Sequence, residues 1–266
     1  MQQADHEYGQ EASDRDVFGN APKRHRDWSH RRGEPRLFTL LWMIYLMAAT
    51  ALMFSSISRA QSMSPEVTRP AARTMLLVVV VGMSVLWPML RFSQMQASVG
   101  SAGHVRRALR DALVLFVPMQ AVVWPQCWNS LAGWPIEVVA AISALLLGWL
   151  LVLAGVVALG VSSIERNKGD ERFRVLWMLL VLLIVLGAPM IGGVQAMGAE
   201  IGVGQPRAGW LLSPVTGVLE LVRDRRELGT PGRVFSEHWK LILAIGLVGT
   251  ALLMIAKAHE VARARH

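Results

Sequence analysis

The chain has 266 residues, 53% hydrophobic and 17% charged, with a formal net charge of +8. A soluble domain carries about 25% charge spread along its length, whereas here the charge is confined to gaps between long apolar runs, which argues against a soluble globular domain. The basic residues flank those runs, where anionic headgroups and the positive-inside rule account for them, so no nucleic-acid partner is expected.

The runs lack the strict alternation of a membrane β-barrel. A bilayer core of about 30 Å needs roughly 20 apolar residues in a helix. The pattern therefore predicts an all-α, polytopic membrane helix bundle with the lipid bilayer as its surroundings. The single cysteine, Cys127, allows no intrachain disulfide and reads as a small residue near a membrane boundary.

Residues 1–36 form a polar tail, acidic first (Asp5, Glu7, Glu11, Asp14, Asp16) and then basic (Lys23, Arg24, Arg26, Arg31, Arg32, Arg36). Its low hydrophobicity predicts disorder over the first 20 residues or so. His25 and His30 have no companions at metal-ligand spacing. The first apolar run, Leu37–Ile57, follows too long a hydrophilic stretch for a secretory signal and reads as an uncleaved first helix.

The second helix is predicted over Thr74–Leu90, bracketed by Arg73 and Arg91, with Trp87 and Pro88 near its end. Val105, Ala108, Leu109 and Ala112 then recur at helical spacing, with Arg106, Arg107 and Arg110 on the other side. That pattern predicts a short amphipathic helix on the membrane surface. The third helix follows over Ala112–Trp128, disturbed by Pro118 and Pro125. The next loop carries Trp128, Trp134 and Pro135 without Lys or Arg, as an aromatic belt does. The fourth helix is Ile136–Ser162 and the fifth Val175–Met197, interrupted by Gly187, Pro189, Gly192 and Gly193. The sixth is Leu241–Ala256, ahead of a basic tail, 258–266.

Between the fifth and sixth helices lies a segment too short to cross. Ser213 is an N-cap type and Pro214 suits the first helical position. Val215, Val218, Leu219 and Val222 make one apolar face, and Gly229 and Pro231 stop the helix. This predicts Pro214–Leu228 as an interfacial or re-entrant helix with its charged end in water. The architecture is thus six transmembrane helices, 37–257, plus that element. With six spans, 18 Lys and Arg lie on the side of the termini against 9 on the other. Both termini are therefore expected in the cytoplasm of a multi-pass cell-membrane protein.

This layout resembles the membrane subunits of ABC-2 type exporters. The matching pieces are the basic flank Lys23–Arg36, the Val105–Arg110 region, and the Leu211–Leu219 segment with its Ser213-Pro214 pair, followed by Trp239. The resemblance implies a separate ATPase partner, a coupling element carrying Arg106, Arg107 and Arg110, and a re-entrant helix marked by Ser213, Pro214, Gly217 and Glu220. It also implies that two membrane subunits, a homo- or heterodimer, enclose the path. The chain itself has no G-x-x-x-x-G-K-[ST] phosphate loop, no zinc-protease or serine-hydrolase motif, and no expected cofactor or enzyme activity. Ion-coupled transport is disfavoured because the predicted spans hold no charged residue in their interiors. His238 and Glu237, near the sixth helix, have no evident third partner. The competing reading is a non-catalytic membrane scaffold or assembly protein. Two pairs of small residues, Gly246 with Thr250 and Gly192 with Ala196, are candidates for close helix packing.

Overall fold

The computed structural model describes residues 35–57, 64–93, 103–167, 170–196, 207–224 and 232–265, and among them there is no strand. The predicted disorder of the amino tail lies outside the described residues. The α-helices are α1 (Pro35–Ile57), α2 (Pro65–Val81), α3 (Trp87–Ser93), α4 (His104–Val123), α5 (Ile136–Arg166), α6 (Glu171–Ala196), α7 (Pro214–Leu221) and α8 (Ser236–Ala264). Five stretches are long and apolar enough to cross a membrane: Leu37–Ile57, Pro65–Ser93, His104–Cys127, Ile136–Arg166 and Ser236–Arg263. The chain divides into two compact units, Met1–Leu37 and Phe38–His266; the helical bundle is the second unit.

The second helix starts earlier than its apolar run suggests. Ser64 is extended at the N-cap and Pro65 takes the first helical position, where a missing N–H leaves nothing unsatisfied. The rod continues through α2 and α3 to Ser93, with one wide turn, a π-helix at Gly82–Leu86. Pro88 explains that turn. In an α-helix its ring would clash with the carbonyl of Ser84; widening the turn relieves the clash, and the Trp87 N–H reaches back to Gly82 O instead.

The predicted surface helix does not exist as a separate element. Val105, Ala108 and Ala112 are buried within the first turns of a continuous α4, because the bundle itself covers the apolar face assigned to the membrane surface. The α-helix ends at Val123, and a 3-10 turn, Trp124–Cys127, begins where Pro125 removes a donor. Trp128 is exposed, but Trp134 is buried, so only part of the expected aromatic belt faces outward. The other long helices outrun their apolar cores. α5 reaches Arg166, α6 starts at Glu171, and α8 spans 29 residues and takes up most of the predicted basic tail.

α5 is the axis. It is buried on nearly every face, packs chiefly on α8 and α4, and also touches α3, α6 and α7. It runs parallel to α8: Gly148 lies by Ile245, Gly155 by Leu252, and Gly249 by Val152. A Cβ on Gly249 would come within 2.6 Å of the Val152 backbone nitrogen, and one on Gly155 within 2.6 Å of Leu252 Cβ. The two helices are thus seated at the close approach that small residues allow. Gly246, by contrast, has nothing within 4 Å of a Cβ, and Thr250 is exposed. The pair singled out by spacing faces away from the bundle. The burial and packing of Gly192 and Ala196 lie outside what the structure describes.

α1 is held at the periphery by two aromatic donors. Trp42 Nε1 donates to Leu115 O of α4 at 3.0 Å, and the Tyr45 hydroxyl donates to Val78 O of α2 at 2.6 Å. The two rings stack with centroids 5.4 Å apart.

Candidate functional site

Polar side chains gather at both ends of the bundle. At the end where α4 begins, Arg91 of α3 pairs with Asp111 of α4 at 2.6 Å, both side chains under a tenth exposed. The Arg91 guanidinium also lies 4.9 Å from the centre of the Phe38 ring. Two turns earlier on α4, His104 Nε2 is 3.0 Å from Glu165 Oε2 of α5. The Val105 N–H, at the amino end of α4, donates to Glu260 Oε1 of α8 at 2.8 Å. That carboxylate meets the positive end of the helix dipole, and Lys257 holds its other oxygen at 3.1 Å. Arg166 reaches His259 at 3.0 Å, and Arg263 donates to Ser162 O.

The first two turns of α4 are therefore tied to α3, α5 and α8 by three charged contacts. Of the predicted coupling residues, Arg106 and Arg110 are exposed, while Arg107 lines a small cleft with Arg91, His104 and Asp111. The cleft has room for no more than about one water. Asp111 and Arg91 lie at the ends of the apolar runs in the sequence. They are buried because the rods extend past the apolar runs and pack on one another there.

The opposite end is built around α7. Ser213 caps the helix as expected: its Oγ accepts from Val215 N and donates to Val185 O of α6 at 2.6 Å. Trp149 Nε1 of α5 donates to Leu211 O, and Thr216 to Trp210 O. A Cβ on Gly217 would stand 2.9 Å from Leu145 Cδ2, so the glycine lets α7 lie close against α5. α7 stops at Leu221, one residue before the non-helical Val222, rather than running to Leu228. The reason is external: Arg73 of α2 takes the Val222 carbonyl at 2.8 Å and the Asp224 carboxylate at 2.7 Å, drawing the chain off the helix axis. Residues 225–228 lie outside the described residues.

The buried face of α7 differs from the predicted one. Pro214, Gly217, Val218, Glu220 and Leu221 are buried, and Val215 and Leu219 only partly so. Glu220, a marker of the predicted re-entrant helix, has a fully covered side chain. Its Oε1 accepts from Arg207 N at 3.1 Å, and its Oε2 lies 3.5 Å from Arg223 Nη1. Across from it sits His238 of α8, also fully covered, with Nε2 4.0 Å from Glu220 Oε1. His238 Nδ1 accepts from Phe235 N at 3.4 Å. Ser213, Pro214, Gly217 and Glu220 are thus brought together, and they acquire His238, Arg207, Arg73 and Asp224 as neighbours. Comparison with protein-family models, curated proteins and solved structures finds no match. The functional argument rests on this geometry.

No group of three or more His, Cys, Asp or Glu among the described residues has metal-site geometry. The signal that could have revealed Glu220 was its spacing: Gly217, Glu220 and Leu221 share a face at i, i+3 and i+4, but apolar residues alone were used to choose the face. Nothing local announces His238, which lies 18 positions from Glu220 and meets it only in the folded chain.

Proposed function

We propose that this chain is the membrane subunit of an ATP-driven exporter. In this reading six helices cross the cell membrane, α6 included, both termini lie in the cytoplasm, and α7 is an interfacial element between the last two spans. The chain performs no chemistry of its own. A separate ATPase supplies the energy, and a second membrane subunit completes the path.

The observation that carries this reading is the mounting of the first turns of α4. Arg106 and Arg110 are presented on the outside of a helix end fixed to three other helices by Arg91–Asp111, His104–Glu165 and Glu260. A push on that end is transmitted to α3, α5 and α8 together, as a coupling element requires. α5, buried on nearly every face, closes the axis of a single chain, which favours a path between two subunits.

The test is mild-detergent purification of the tagged protein from its native host, with and without Arg106→Glu and Arg110→Glu. A stoichiometric protein with a phosphate-loop ATPase sequence is expected with the wild type and absent from the double variant. Both proteins should elute as folded, monodisperse material. An intact wild type with no ATPase would overturn the proposal and leave the scaffold reading; unchanged association of the double variant would remove α4 from the coupling role.

A further inference from the structure

α8 is longer than a bilayer requires. Its 29 residues extend about 43 Å, against a hydrocarbon core of about 30 Å. Trp239 is exposed near its start and marks one interface, as tryptophans do in membrane helices. At about 1.5 Å per residue, Lys257 then lies about 27 Å along the helix and Arg265 about 39 Å. The stretch 257–265 is therefore at the depth of the opposite headgroup layer, and Lys257 can snorkel outward into it.

At that depth a groove of about 390 Å³ runs along α8. Among the described residues it is lined by Met254, Lys257, Ala258, Val261, Ala262 and Arg265. This face is opposite Arg263, which donates to Ser162 O of α5, so it looks away from the bundle axis. The floor is apolar, and the two cations stand about 12 Å apart along it. The Lys257 ammonium meets Glu260 Oε2 at 3.1 Å but its side chain is about half exposed, which leaves it donors to spare. Arg265 is exposed and makes no ion pair among the described residues. Toward the bilayer centre the same face continues through Met254 to Leu247 and Leu243, all exposed.

These features select the occupant. A second copy docked on this face in the same orientation would set Lys257 and Arg265 against their own counterparts, which repel. A lipid with a net negative headgroup matches both the cations and the apolar floor. We propose that the groove binds an anionic phospholipid, its phosphate between Lys257 and Arg265 and an acyl chain along Met254, Leu247 and Leu243. A zwitterionic lipid is disfavoured because its own ammonium offsets the phosphate, leaving the two cations less to attract. The bound lipid lies against the part of α8 that holds the start of α4 through Glu260. The inference rests on α8 crossing the bilayer and stands whether or not the chain partners an ATPase.

The test is native mass spectrometry of the full-length protein released from micelles doped equally with dioleoyl phosphatidylglycerol and dioleoyl phosphatidylcholine. The wild type should retain phosphatidylglycerol about tenfold over phosphatidylcholine. The double variant Lys257→Gln with Arg265→Gln should lose most of that preference. Lys240→Gln, which removes a cation from the other end of α8, should keep it. No preference in the wild type would overturn the proposal. So would an equal loss in Lys240→Gln, which would reduce the effect to diffuse charge. A wild-type dimer that excludes the lipid would give the groove to a second copy instead. Millimolar inorganic phosphate should not displace the lipid; displacement would make this a free-phosphate site and overturn the proposal. If Lys257→Gln does not fold, Arg265→Gln alone decides: a preference equal to the wild type's overturns it.

Discussion

At the residue scale, the bundle is specified by a few polar side chains placed where water cannot reach them. Removing one member of Arg91–Asp111 takes from the other buried charge its partner at 2.6 Å. Asp111→Asn or Arg91→Met should therefore destabilise the folded protein by about 3–5 kcal/mol, read from unfolding in mixed micelles. The double replacement Arg91→Met with Asp111→Leu should recover most of that loss, because an apolar pair of similar volume has no charge to desolvate. A double variant as unstable as the singles would mean that the pair matters through its wider network. Ser213→Ala removes both the cap on α7 and the anchor to Val185 O. Its expected cost is about 1–2 kcal/mol, with loosening confined to α7.

At the scale of elements, contact between α5 and α8 depends on which small residues face inward. Gly249→Leu must push its side chain into the α5 backbone and should cost at least the 1–3 kcal/mol or so of ordinary overpacking. Gly246→Leu, three residues earlier, enters open space and should leave stability nearly unchanged. Thermal unfolding of the two variants side by side is the measurement, and equal losses would contradict the packing described. The same scale explains two elements misread from sequence. α2 begins at a Ser-Pro start signal that its charged first turns obscure. α4 absorbs an apparent surface helix because an apolar stripe reads alike whether lipid or protein covers it.

At the scale of the whole molecule, contacts between helices set the chain's direction. α2, α3, α5 and α8 run one way, with α1, α4 and α6 opposed. Phe38 at the start of α1 and His259 toward the end of α8 thus lie at the same end, beside Arg91 and Arg166 respectively. With Cys127 replaced by serine, single cysteines introduced at Arg106 and Arg265 should be labelled from one side of a sealed membrane. A cysteine at Arg233 should be labelled from the other. Labelling of the first two from opposite sides would break the alternation.

Much of this was legible in the sequence because it depends on length and local chemistry. Uncharged runs of about 20 residues report membrane helices wherever they pack. Ser213-Pro214 reports a helix start because capping needs only neighbouring backbone. What sequence could not yield is whatever depends on a partner far along the chain. α7 stops at Leu221 because Arg73, about 150 positions earlier, takes the next carbonyl. Gly249 rather than Gly246 faces α5 because the rotation of α8 is fixed by everything packed around it. Glu220 and His238 carry no local sign that they would be buried. Only the assembled bundle, with α7 seated against α2, α5 and α6, covers both and brings them together, because burial is a property of the assembled surface and not of either residue's own segment.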